Sequence, residues 1–391
     1  MRTLRAACVV GWVVALLGCE GLARGPGGGA ADASIGGGVG VASGQGGGGS
    51  EPGQGDGGTS AGGGGGSGGG GGATTQGVHY LGRFDLSQPG TARFEWSGSG
   101  VVARFQGTGI AAALSLDATD FELVIDHGSP SVVSYDGNPA TVTLASGLAP
   151  GQHTVELYRR DEALWGTSGF GGFTVTGGAL VASAPPFSRK IEFIGDSIFA
   201  GYGNEGCPFS VGTQNEYLSV GAITARALSA EHITLAWSGI GMSISYDGKT
   251  TDQMPVRYER TLPTQSSSAW DFSQWIPDVV VIDLGDNDFT NRDPAQFVAT
   301  YLDFLVKLRG RYPYAYVLCA MGPMQDLAAW RDQLNSIVST RNTAGDAWVS
   351  FFEFTHDDGS RGRGCDSHPN VLTHQVMADQ LVPVVKAKTG W

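Results

Sequence analysis

Between Gly21 and Gly77 about half of the residues are glycine, with Ser, Ala, Gln and Thr filling most of the rest. Such a stretch cannot bury enough apolar surface to offset the entropy of ordering its backbone. Residues 20–77 are therefore expected to form a tether, spanning ~40 Å on average at roughly 5–6 Å × √n. Whatever folds must follow it. The chain has 391 residues with 9 Trp, 17 Phe and 11 Tyr, ample for a sizeable core. Against 24 Lys+Arg stand 37 Asp+Glu, a net charge of -13. An acidic chain of this kind repels phosphate backbones, so nucleic acid is not an expected partner.

Ahead of the tether, Arg2 and Arg5 precede an apolar run from Ala6 to Leu17. That run is too short to cross ~30 Å of hydrocarbon as a stable helix and reads as a signal peptide over residues 1–19. Its end, Leu16-Leu17-Gly18-Cys19, resembles a bacterial lipobox. The resemblance implies lipidation at Cys19 and an exported, membrane-anchored lipoprotein of the outer membrane or cell surface. Export makes disulfides permissible.

From Val78 to residue 186 the texture is β. Ala92–Trp96, Val101–Phe105, Phe121–Ile125 and the cleanly alternating His153–Tyr158 are short and rich in branched or aromatic residues. Turn clusters such as Asp126-His127-Gly128 and Asp136-Gly137-Asn138-Pro139 separate them. Strands at this spacing predict a jelly-roll-like β-sandwich.

Residues 187–391 alternate between strand and helix. Strands are predicted at Lys190–Ile194, His232–Trp237, Pro277–Leu284 and Ala315–Met321, and helices at Glu216–Ala230, Ala295–Arg309 and Thr373–Lys388. Pro383 should disturb the last helix. The near-continuous apolar run before Gly285 marks a buried parallel strand. The pattern predicts an open parallel α/β sheet with its site at the carboxyl ends of the strands.

Reactive residues gather at those ends: Gly195-Asp196-Ser197, Gly285-Asp286-Asn287-Asp288 and, before the last helix, Cys365-Asp366-Ser367-His368-Pro369. Singly, each also fits a turn, a helix cap or a structural histidine. Together and in this order they resemble the SGNH hydrolases, esterases with a flavodoxin-like sheet. A narrower resemblance is to carbohydrate esterase family 2, carried by Ile191–Ile198, Gly201–Gly206, Cys365-Asp366-x-His368-Pro369, His374-Gln375 and Met377-Ala378-Asp379. The sandwich before the hydrolase unit belongs to that likeness.

The resemblance implies Ser197 as nucleophile, His368 as base and Asp366 as the group orienting it. It implies an oxyanion hole from the Ser197 N–H, the Asn287 amide and a glycine of Ser238-Gly239-Ile240-Gly241, with Gly241 favoured and Gly239 next. The wider superfamily places its aspartate three residues before the histidine, where this chain has Cys365, and a backbone carbonyl can serve instead. Ser367 stands where an aromatic is common, which removes one wall of the sugar site.

The implied reaction is removal of O-acetyl groups from plant-type polysaccharide (xylan, glucomannan) or its oligosaccharides by a monomer. No cofactor is expected. His356, Asp357, Asp358, Asp366, His368 and His374 crowd the last stretch but match no standard zinc spacing, so no metal is expected either. Trp270, Trp275 and Trp330 each fit either the core or a sugar platform, and Trp330 is the candidate for the latter. If the catalytic residues meet, Cys207 and Cys365 come close enough for a disulfide, leaving Cys319 free in its apolar strand. Two other readings stay open on residues alone. One is a tethered carbohydrate-binding lipoprotein with an inactive hydrolase fold, against which the intact Ser197, Asn287 and His368 speak. The other is an SGNH lipase or peptidoglycan O-acetylesterase; a lipase would want an exposed apolar lid, and no segment reads as one.

Overall fold

A computed structural model describes residues 74–75, 77–182, 187–290 and 296–391. The expected signal peptide, Cys19 and nearly all of the expected tether lie outside these residues.

Strands β1 (Thr74–Thr75), β2 (Val78–Leu81), β3 (Ala92–Phe94) and β4 (Gly100–Gly107) open the sandwich. They are followed by β5 (Gly109–Leu116), β6 (Thr119–Ile125), β7 (Ser131–Tyr135) and β8 (Ala140–Ala145). Then come β9 (Gly151–Arg159), β10 (Ser168–Thr176) and β11 (Ala179–Val181). One sheet runs β1-β2-β4-β9-β6-β7 with β11 also on β4, and the other runs β3-β10-β5-β8. Because β1 pairs with β2, the sandwich begins inside the stretch expected to be tether. Period-two alternation does the sorting. On β4, Val101, Ala103 and Phe105 are buried while Val102, Arg104 and Gln106 are not. They meet Ile110, Ala112 and Leu114 of β5 and Phe170 of β10 in one core between the sheets.

A third sheet holds β12 (Lys190–Gly195), β13 (Glu231–Ala236), β14 (Val279–Asp283), β15 (Tyr316–Met321) and β16 (Val349–Glu353), all parallel. Its order is β13-β12-β14-β15-β16. The helices are α1 (Ser197–Ala200), α2 (Val220–Ala227), α3 (Met254–Arg257), α4 (Asp286–Thr290), α5 (Phe297–Arg311), α6 (Ala328–Thr343) and α7 (Val371–Thr389). All five residues of β14 are buried, and they divide by parity. Val280 and Ile282 pack with Phe304 of α5 and Leu334 of α6, whereas Val279 and Val281 pack with Val220 of α2 and Leu381 of α7. Both faces of the sheet are therefore covered, as its apolar run requires.

The parallel-sheet unit departs from the sequence reading at several elements. The helix expected from Glu216 begins at Val220, after a 3₁₀ turn at Glu216–Leu218. α7 continues through Pro383, whose ring lies on the exposed side, so the carbonyl it displaces can turn to water. α6 and β16 were not anticipated. From β12 the chain moves to β13 on one side and then to β14 on the other. This reversal opens a crevice at the carboxyl end of β12.

Candidate active site

Ser197 occupies that crevice as the first residue of α1. The turn into it is tight: a Cβ on Gly195 would lie 2.8 Å from the Phe199 ring. Asp196 caps the helix, its carboxylate accepting from the Ile198 N–H at 3.0 Å. The Ser197 backbone N–H stands at a helix start, where no intrahelical acceptor exists.

His368 arrives from the turn before α7. Its Nε2 lies 2.8 Å from Ser197 Oγ, and its Nδ1 lies 3.1 Å from the Cys365 carbonyl oxygen. A carbonyl can only accept, so the proton sits on Nδ1 and Nε2 is the free base facing the serine hydroxyl. Burial holds the imidazole below its ordinary range, against the opposing pull of the carbonyls and of Asp366. The ring is accordingly neutral at pH 7.

Asp366 does not take the place expected of it. Its side chain is exposed and its Oδ2 accepts from the Tyr202 hydroxyl at 2.7 Å. The reason is backbone conformation: Asp366 and Ser367 sit in left-handed φ (49° and 65°), so the turn presents the Cys365 carbonyl to the ring. Tyr202 flanks the base instead, ring centroids 4.3 Å apart, and stacks on Phe209 at 3.8 Å. An aromatic wall thus exists beside His368 although Ser367 supplies none.

The expected disulfide is present. Cys207 and Cys365 are bonded across a sequence separation of 158, and Cys319 is free and buried. Backbone bonds reinforce the join: Cys365 N–H donates to the Gly203 carbonyl at 2.9 Å and Val371 N–H to Asn204 at 3.2 Å.

Asn287, in the first turn of α4, donates through Nδ2 to Asp196 Oδ2 at 3.1 Å and to the Ile240 carbonyl at 2.8 Å. One amide therefore ties the loops after β12, β13 and β14 together. The favoured glycine is corrected. Gly241 N–H points to Gln253 Oε1 at 3.4 Å, and a Cβ there would lie 1.9 Å from the Ile244 carbonyl. Gly241 is small because its loop wraps the buried Asp288. That carboxylate accepts from the N–H groups of Met242, Ser243 and Ile244 at 2.7–2.9 Å. Gly239 is half-buried at φ 78°, and its N–H has no acceptor among the described residues. Beside it opens a cleft of about 460 Å³ bounded by Trp237, Ser238, Ser245, Tyr246 and Arg257.

Carboxyls near Ser197 titrate above their ordinary range. Burial and the neighbouring Asp286 push Asp283 up to about 8, and burial pushes Asp286 to about 6. Burial with these two neighbours also raises Asp196 well above the usual carboxylate range. Negative charge here would oppose an oxyanion, and the upward shifts of Asp196 and Asp283 favour their neutral forms.

Trp330 is corrected as well. It is 0% exposed, stacks on Phe289, and its indole N–H lies against Gly285, where a Cβ would approach Nε1 to 2.2 Å. It shapes the turn leading to Asn287 from inside the core. Trp270 and Trp275 are buried too. His374 lies inside α7, where its Nδ1 accepts from the Val220 N–H at 3.2 Å and burial pushes it down to about 3. Among the described residues no group of three or more His, Cys, Asp or Glu is placed to hold a metal ion. Two contributors went unassigned in the sequence. Tyr202 lay within the Gly201–Gly206 run and Asp288 within the Gly285–Asp288 run, the signals by which either could have been found.

A nucleophile and base joined at the switch point of a parallel α/β sheet is the arrangement of a serine esterase. Comparison with known proteins agrees. Residues 80–185 match the carbohydrate esterase 2 N-terminal family, and residues 191–381 match the GDSL-like lipase/acylhydrolase family. A cellulase/esterase CelE of Acetivibrio thermocellus is 41% identical over 325 residues, 81% of this chain; the match spans only 40% of that longer protein. An acetylxylan esterase / glucomannan deacetylase of Cellvibrio japonicus is 26% identical, covering 80% of this chain and 89% of the relative. Among solved structures, a family two carbohydrate esterase from Clostridium thermocellum in complex with cellohexaose superposes with a TM-score of 0.78 at 41% identity. That alignment covers 81% of this chain and all of the other. The chain belongs to carbohydrate esterase family 2.

Proposed function

We propose that this protein is a serine esterase that removes O-acetyl groups from plant-type polysaccharide, xylan or glucomannan, or from derived oligosaccharides. The observation that carries the reading is the 2.8 Å contact of Ser197 Oγ with a His368 Nε2 whose other nitrogen is pinned on a carbonyl. Ser197 Oγ attacks the acetyl carbonyl carbon while Nε2 takes the hydroxyl proton. The C–O bond to the sugar then breaks, the imidazolium returns its proton to the leaving sugar oxygen, and acetyl remains on Ser197. Water, deprotonated by the same nitrogen, releases acetate. The oxyanion is received by the N–H groups of Ser197 and Gly239 and by the Asn287 amide, once a substrate oxygen competes with its present acceptors.

The cleft beside Gly239, walled by Trp237 and Tyr246, suits a sugar chain leading to the acetyl group. The relatives named for acetylxylan and glucomannan deacetylation support that substrate class. Export as a lipoprotein anchored through Cys19 accords with a polymer substrate outside the cell. Among the described residues no helix is long and apolar enough to cross a membrane. The test is acetate release from acetylated xylan, glucomannan and peptidoglycan by wild type and Ser197→Ala. A loss of at least about 10⁴-fold in kcat is expected for the variant, with xylan or glucomannan preferred. Wild-type turnover by Ser197→Ala, or release from peptidoglycan alone, would refute it.

A further inference from the structure

The loop that follows β9 of the sandwich reaches the hydrolase site. Glu162 in that loop is 0% exposed. Its Oε2 accepts the Ser238 backbone N–H at 2.6 Å, and its Oε1 accepts the Ser238 hydroxyl and, at 3.0 Å, Gln214 Nε2. Gln214 Nε2 also donates to the carbonyl of Ala200, the last residue of the helix that Ser197 begins, at 3.1 Å. From the same loop, the Trp165 indole N–H donates to Gln214 Oε1 at 3.1 Å. One short sandwich segment thus grips both the nucleophile's helix and the residue next to Gly239.

A buried carboxylate is costly unless its lone pairs are filled, and here three donors fill them. The loop that carries it is itself fixed. Arg159, also 0% exposed, donates to the Glu162 carbonyl at 2.9 Å, the Gly166 carbonyl at 2.8 Å and Asp161 Oδ1 at 2.6 Å. The N–H, in the peptide before Ser238, and the Ser238 hydroxyl are both held, which anchors the residue from which the Ser238–Gly239 peptide extends. The N–H of that peptide is the Gly239 donor.

We propose that Glu162 is a positioning residue of the esterase, through which the β-sandwich sets the direction of the Gly239 oxyanion donor. The sandwich is then part of the catalytic apparatus whether or not it binds sugar. The inference rests on the acyl-enzyme reading above and adds a residue from outside the hydrolase domain.

The test uses the full chain and a chromogenic acetate ester, with kcat and KM measured separately. Misplacing one donor of a hole by about 1 Å can cost up to ~10²-fold, so Glu162→Ala should lower kcat by roughly 10- to 100-fold. KM should stay within about threefold, because ground-state binding does not use the oxyanion contact. Glu162→Gln keeps one oxygen for the Ser238 N–H and should recover most of the loss. Ser238→Ala removes only the hydroxyl contact and should cost less than about tenfold. Combined with Glu162→Gln it should be sub-additive, since both changes act on one contact. Wild-type kcat in Glu162→Ala, a change confined to KM, or strict additivity in the Glu162→Gln/Ser238→Ala cycle would overturn the proposal. Should Glu162→Ala fail to fold, that cycle decides alone. Ser197→Ala measured alongside separates the two readings. If it stays active the esterase reading falls; if it is dead while the Glu162 variants are unaffected, only the positioning role falls.

Discussion

Removal of the Asp366 carboxylate should be nearly silent, and the expected size follows from the geometry. Where a buried aspartate holds the imidazole tautomer, its loss costs about 10⁴-fold in kcat, or ~5.5 kcal/mol of transition-state stabilisation. Here Nδ1 faces the Cys365 carbonyl at 3.1 Å and the Asp366 side chain is exposed, bonded to Tyr202. What Asp366 can still offer is charge acting through water on the imidazolium. At 4 Å that interaction is worth about 1 kcal/mol, roughly fivefold in rate, and less with salt. Asp366→Asn is the clean perturbation. It removes the charge, keeps an acceptor for Tyr202, and tolerates the left-handed φ of 49°. Hydrolysis of a chromogenic acetate ester should show kcat reduced by no more than about tenfold. Because the carboxylate raises the histidine's pKa, its loss should also move the acid limb to lower pH, by less than about one pH unit. A loss approaching 10⁴-fold would show that the carboxylate orients the base in solution, and the carbonyl reading would fall.

The wild-type acid limb itself should lie below pH 6.5: His368 must be neutral to accept the serine proton, and burial lowers its pKa. A kcat/KM profile with its limb above pH 7 would contradict this. Reducing Cys207–Cys365, or replacing both with alanine, frees a loop with a separation of 158, about 5 kcal/mol in the chain-entropy treatment and 2–4 typically. Denaturant unfolding with and without reductant measures it, and an unchanged midpoint would refute the estimate. Asp283 has a folded pKa raised to about 8 from 3.8, so its contribution to stability is full below about pH 4 and lost as pH rises through 8. Asp283→Asn should therefore gain on wild type as pH rises across that window, by at least about 1 kcal/mol at pH 8; a pH-independent difference would refute it.

Much of this was legible in the sequence, and the misses share a cause. The buried run of β14, the alternation of β9 and the motifs at the strand ends each carry their signal within a few residues. The spacing of Trp330, Leu334, Ile337 and Val338 was equally available: all four are buried at helical period on α6. Alone, Trp330 reads equally as a sugar platform or as core; with its neighbours at helical period it reads as core. The alternatives left open concern contacts without a local pattern. A backbone carbonyl that replaces an aspartate has no residue type to betray it. The loop around Gly241 is shaped by Asp288, far along the chain in α4. Glu162 meets Ser238 across 76 positions, and nothing in the sandwich's alternation marks it.

These contacts account for the small effect expected on removing the Asp366 carboxylate. A triad aspartate fixes the imidazole's tautomer and fixes its position. The Cys365 carbonyl does the first. The second is done by the chain around it, since the turn bearing His368 is joined to the loop after Ser197 by the disulfide and by the Cys365–Gly203 and Val371–Asn204 backbone bonds. The approach is so close that a Cβ on Gly203 would lie 2.4 Å from Cys365 Cβ, which is why that position, at φ 50°, is glycine. Nucleophile and base are thus held by covalent and main-chain links that are insensitive to protonation. A carboxylate could add only charge, and an exposed one adds little. The same logic applies across the proposed hole, where Asn287 joins three loops and Glu162 anchors Ser238 beside Gly239. On this reading the geometry of Ser197 and His368 is set by the scaffold's joints, and the exposed Asp366 and Ser367 side chains contribute little to it.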